Sequence, residues 1–139
     1  MLVKNRNNII LFVTYVIRQL AISKEVINKT VFELLTSWIK KSELGKEIFY
    51  TPEYLNRTGA GDCDDFVTLL AKKLHQDKIY FKIGFPIKNN AAFHVFILTK
   101  KGIIDPWISK NIITDTNYKK IYKCDSVVFY DVDLREVFV

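Results

Sequence analysis

The chain has 139 residues, enough to bury one hydrophobic core and too few for two, so residues 1–139 are expected to form a single domain. Hydrophobic residues make up 49% and charged residues 26%, a balance that excludes a disordered polymer. The net charge of +6 comes mostly from scattered lysines, without an Arg-rich helix or aromatic and basic interleaving, which argues against a nucleic-acid partner.

After Lys4 and Arg6 comes a nine-residue apolar run, Ile9 to Ile17, with the look of a signal-peptide front. Arg18 and Gln19 interrupt it, no small-residue cleavage site follows cleanly, and it is half the length of a membrane span. The reading is therefore a helix from Asn8 to about Leu20, buried on most of its circumference, with a targeting or membrane-associating segment as the alternative. Ser23 is a possible cap for a second helix in which Val31, Leu34, Leu35, Trp38 and Ile39 carry a three-four spacing to about Lys41. Lys46 to Gly61 holds Pro52, Gly59 and Gly61 without sustained periodicity and reads as a loop.

Phe66, Val67, Leu70 and Leu74 then recur three and four apart, which predicts an amphipathic helix from Asp64 to about His75 with Asp62 as N-cap. Cys63 falls at its N-terminal end and on its apolar stripe, so the thiol is expected to face inward. Beyond it the period changes from 3.6 to 2. Ile79 to Phe85, Ala91 to Thr99 and Ile103 to Trp107 read as an antiparallel meander, with a further strand pair near Ile121 to Tyr130 and Leu134 to Val139. Helices first and strands second predict an α+β domain, its N-terminal helices and the cysteine-bearing helix packed on one face of an antiparallel sheet.

His94 lies inside the strongest strand signal, and Ala92 and Phe96 are its expected same-face neighbours. Asp105, held extended before Pro106, is either an Asp-Pro turn signal or a partner for that histidine. Parity decides between them: if Leu98 pairs with Ile103 across Lys100-Lys101, Phe96 faces Asp105 and Asp105 lies diagonal to His94. Cys63, His94 and Asp105 then form a nucleophile, base and orienter. The helix end and a nearby imidazolium are expected to lower the thiol's pKa from about 8.5, against the opposing charges of Asp62, Asp64 and Asp65. Cys124 has no histidine or helix start beside it and reads as an ordinary thiol, half-buried in a strand. A disulfide between the two cysteines is the alternative, and with His75 and His94 as the two histidines no metal-ligand spacing appears.

Gly61-Asp62-Cys63-Asp64-Asp65-Phe66, then Phe93-His94-Val95-Phe96, then Asp105-Pro106 resembles the transglutaminase-like superfamily over about Trp38 to Trp107. The resemblance implies a papain-like core, with Cys63 as nucleophile, His94 as general base and acid, and Asp105 orienting His94. It also implies a thiol-dependent acyl-transfer enzyme, most readily an amide or peptide hydrolase of the small bacterial or phage type, without a cofactor. Its partner would be a protein or peptide, a peptidoglycan peptide among the options, in a cytoplasmic or virion-enclosed setting suited to a reduced thiol. The Cys63 amide is one expected oxyanion donor, with Tyr54 or a loop amide as the second. The alternatives are a catalytically silent module on the same fold, or a basic interaction protein with a coincidental triad.

Overall fold

The computed structural model describes residues 6–42, 48–133 and 136–137, with side chains described for residues 8–42 and 48–133. The N-terminal run forms helix α1 (Arg6–Ile22). It is amphipathic rather than buried all round: Ile9, Phe12, Val13, Val16 and Leu20 enter the core, while Leu11 and Ile22 are exposed.

The expected second helix is much shorter. Residues 23–30 are irregular, and α2 (Val31–Ser37) starts at Thr30, which forms a capping box with Glu33. The preceding segment is held by side chains of the later cysteine-bearing helix. Gln76 both accepts from Ile27 N–H and donates to Ile27 C=O, Lys73 Nζ donates to the same carbonyl, and Lys72 Nζ donates to Leu20 and Ser23 C=O. These long-range bonds satisfy backbone groups that a continuous helix would have satisfied itself, so tertiary context overrides the local periodicity.

Trp38 turns the chain into β1 (Ile39–Lys40). The segment expected as loop contains α3 (Pro52–Thr58), capped by Thr51, with Pro52 in the first turn and Gly59 left-handed at the end. Then β2 (Ala60–Gly61) pairs parallel with β1. Residues 43–47, which include the first two of this stretch, lie outside the described residues. The cysteine-bearing helix α4 (Cys63–Gln76) matches its sequence reading, starting one residue earlier, and packs against α1, α2, α3 and the sheet.

The sheet contains β3 (Phe81–Lys88), β4 (Ala91–Ala92), β5 (Phe96–Thr99), β6 (Gly102–Ile104), β7 (Ser126–Tyr130) and β8 (Glu136–Val137), all antiparallel, in the order β6-β5-β3-β7-β8 with β4 on β3. Pro86 lies inside β3; the turn falls at Asn89 and Asn90, whose φ values of 52° and 62° suit a two-residue hairpin. The third strand ends at Ile104 rather than Trp107. Of the stretch Leu134 to Val139 the described strand is Glu136–Val137, and Ile121 belongs to a short helix, α5 (Tyr118–Tyr122), not to a strand.

That helix corrects the layer scheme. Phe81, Ile83, Phe85 and Ile97 face α4 in the main core, whereas Phe96, Leu98, Ile103 and Phe129 form a second core with Tyr122 and Cys124. The sheet is therefore covered on both faces, by α1–α4 on one and by α5 on the other. Gly84 makes the second core possible: a Cβ there would lie 2.6 Å from the Phe96 ring and 2.9 Å from that of Phe129.

Candidate active site

His94 stands where one strand changes face. Between the pairs Ile87–Ala92 and Gly84–Phe96, β3 spends two residues, Phe85 and Pro86, while its partner spends three, Phe93, His94 and Val95. This is a one-residue bulge, placed opposite Pro86, which has no N–H to offer a ladder. The expectation of an unbroken strand fails here, and with it the same-face neighbourhood of Ala92 and His94. Ala92 belongs to the main core and Phe96 to the second, so the bulge turns His94 toward α5 while Val95 points back toward α4.

The His94–Asp105 pairing follows the expected parity. Leu98 pairs with Ile103 across the Lys100-Lys101 turn, and His94 Nε2 lies 2.7 Å from Asp105 Oδ2. Asp105 is 1% exposed. Its Oδ2 also accepts from the Tyr122 hydroxyl at 2.7 Å, and its Oδ1 accepts from Trp107 N–H at 3.0 Å. The Asp105 carbonyl accepts from Ile108 and Ser109 N–H, so the residue is both the turn former and the histidine's partner. The His94 ring meets Trp107 edge-on at 6.0 Å and lies tilted against Tyr122 at 5.6 Å.

Cys63 is placed by the α4 N-terminus. Asp62 accepts from Asp65 N–H at 3.3 Å and Asp65 Oδ2 from Asp62 N–H at 3.1 Å, a complete capping box. Gly61 precedes it at φ 155°, and a Cβ there would fall 2.4 Å from Asp65 Oδ2. The Trp38 indole donates to Gly61 C=O at 3.3 Å and packs edge-on against Phe66. Lys40 Nζ reaches Pro106 C=O at 3.4 Å, tying the β1–β2 pair to the Asp105 turn.

The thiol faces inward as expected and is 5% exposed. Its electrostatics differ from expectation. Burial raises the Cys63 pKa above the usual thiol range, Asp64 and Asp62 push the same way, and the Val95 backbone N–H pulls it down. Among the described residues no hydrogen bond joins Cys63 to the His94 ring. The bulge amide of Val95 faces the sulfur, and the ring of the residue before it holds Asp105. With Nε2 on Asp105, Nδ1 is the nitrogen left for proton transfer.

Tyr54 stacks on Tyr50 at 4.5 Å and lies under Arg57. Both cysteines are free, and Cys124 is buried in the turn between α5 and β7 rather than half-buried in a strand. Asp62, Asp64 and Asp65 place carboxylate oxygens within 4.8 Å of one another, but Asp62 and Asp65 each commit one to the capping box. Tyr122 was not singled out by the sequence. The four-residue spacing of Tyr118 and Tyr122 is the signal of a helical face in a stretch that otherwise reads as strand.

No family model, no curated protein and no solved structure matches the chain. The fold defines the class: a mixed α+β protein with helices packed on an antiparallel sheet. Among the described residues no helix is long and apolar enough to cross a membrane.

Proposed function

We propose that the chain is a thiol acyl-transfer enzyme of the transglutaminase-like type, working as an amide or peptide hydrolase in a reducing, cytoplasmic or virion-enclosed setting. The observation that carries this reading is the buried Asp105 carboxylate, which fixes His94 through Nε2 next in the chain to Val95, whose backbone N–H is directed at Cys63. A carboxylate with three donors is suited to hold one imidazole tautomer and to stabilise the imidazolium formed during reaction. The neutral thiol passes its proton to His94 as sulfur attacks the carbonyl. Imidazolium then protonates the departing amine, and water releases the acid from the thioester. The Cys63 N–H, in the first turn of α4, is the first oxyanion donor in this scheme.

A specific observation favours the silent-module reading: the Cys63 thiol is buried and held neutral by that burial. An acyl-directed thiol probe separates the two. Incubation with a peptidyl acyloxymethyl ketone, followed by mass spectrometry, is expected to modify Cys63 in the folded protein, with the rate falling about a hundredfold or more in His94→Ala. Modification that occurs only after unfolding would establish the silent module instead.

A further inference from the structure

An open cavity of about 230 Å³ lies against His94 on the α5 side. Three elements that meet at His94 form it: Phe93 and His94 from the bulge, Trp107 and Ile108 after the Asp105 turn, and Ile121, Tyr122 and Lys123 from α5 and its cap. Phe93 and Ile108 are each 44% exposed, so two large apolar side chains stand in solvent at the mouth of a site. The volume is large enough to hold one aromatic side chain. Lys123 is exposed beside this apolar wall, and Lys119 and Lys120 on α5 add to the local positive charge.

His94 lines the cavity and Cys63 does not. In acyl transfer the carbonyl carbon must sit on sulfur, while the leaving amine must come to the imidazole that protonates it. A cavity on the histidine side therefore receives the leaving group. Resting on the acyl-transfer reading, we propose that this cavity binds the leaving-group residue of the substrate, an amino acid with an aromatic side chain and an adjacent carboxylate that pairs with Lys123. Sulfur bonds to the acyl carbon as the C–N bond breaks, the thiol proton passes through His94 to the amine, and water then cleaves the thioester and restores the thiol. The carboxylate belongs either to the chain terminus or to an acidic residue that follows, two sources of the same chemistry.

Binding is measured on the Cys63→Ala protein, so that it is independent of turnover, by the shift of the Trp107 indole N–H resonance with buried Trp38 as internal control. N-acetyl-Gly-Phe with a free carboxylate is expected to move Trp107 and to bind about tenfold more tightly than its amide or than N-acetyl-Gly-Ala. If N-acetyl-Gly-Phe-Asp-amide equals the free acid, the carboxylate is an acidic side chain's; if it equals the plain amide, the terminal carboxylate is read. Ile108→Asp is expected to weaken the aromatic peptides about tenfold, and Lys123→Glu to abolish the advantage of acid over amide. Equal binding of all four peptides, or insensitivity to both substitutions, overturns the assignment. Tight binding by N-acetyl-Gly-Phe without hydrolysis or probe labelling of the wild type removes the enzyme reading and leaves the cavity's ligand class standing. Probe labelling without peptide binding removes the cavity assignment alone.

Discussion

Asp105 is a carboxylate removed from water and compensated by three donors, His94, Tyr122 and the Trp107 amide. A buried carboxyl group without such donors would be strongly disfavoured, so each bond offsets part of the cost of its burial. Tyr122 shares Oδ2 with His94 and stacks on Phe96 at 4.5 Å, which fixes the hydroxyl as well as the ring. Burial, with Asp105 adding to it, raises the Tyr122 pKa above the tyrosine range, so the hydroxyl keeps its proton and donates. Tyr122→Phe keeps the stack and removes one donor. It is expected to cost about 1.5–3 kcal/mol in urea unfolding, as for a hydrogen bond to a charged group. The rate of Cys63 acylation should fall several-fold while Cys124, in the same second core, stays unreactive in the folded state. An unchanged acylation rate would leave Tyr122 with packing alone.

The elements divide by whether their register is set locally. The start of α4 is written in adjacent residues, with Asp62 and Asp65 three apart and an apolar stripe behind them, so both the helix and the inward aim of Cys63 are legible in sequence. Leu98 opposite Ile103 is equally local, because a two-residue turn fixes parity. The bulge at Phe93–Val95 is not local. It depends on where β3 and β5 lock together through Gly84 and Phe96, and alternation alone gives no sign of an inserted residue. Likewise α5 and its tyrosine were hidden by a β-branched and aromatic composition, and residues 23–30 by a helical spacing that Gln76, Lys72 and Lys73 override. The capping box supplies the test at this scale. Asp62→Ala is expected to destabilise by about 0.5–2 kcal/mol and Asp62→Asn by less, since an asparagine oxygen can still accept from Asp65 N–H. If the alanine variant matches wild type in thermal unfolding, α4 is held by packing alone.

For the whole molecule, the charge state of the thiol becomes a pH dependence of folding whose sign separates a resting thiol from a preformed thiolate. In the unfolded chain Cys63 loses its proton near pH 8.5, whereas in the folded protein burial raises its pKa. The folded state therefore binds more protons above that pH. Its contribution to stability is fully present below about pH 8.5 and is lost as pH rises toward the folded pKa, by at most about 1.4 kcal/mol per pH unit. Burial also raises Cys124, so each thiol needs its own variant. Tyr15 is pushed up to about 12, chiefly by burial, and tyrosines are already about half ionised in the unfolded chain at pH 10, so the window from about 8.5 to 9 isolates the cysteines. Urea unfolding across that window is expected to show wild-type stability falling with pH and the slope shrinking in Cys63→Ala, with Cys124→Ser giving the second thiol's share. A preformed thiolate would give the reverse curve: its folded pKa would lie below 8.5, and its stabilisation, fully present above about pH 8.5, would be lost as pH falls toward the lower folded value. An alkaline slope that Cys63→Ala leaves unchanged, together with acid-side destabilisation that the same substitution removes, would overturn the resting-thiol assignment and make Cys63 an ion-paired nucleophile before substrate arrives.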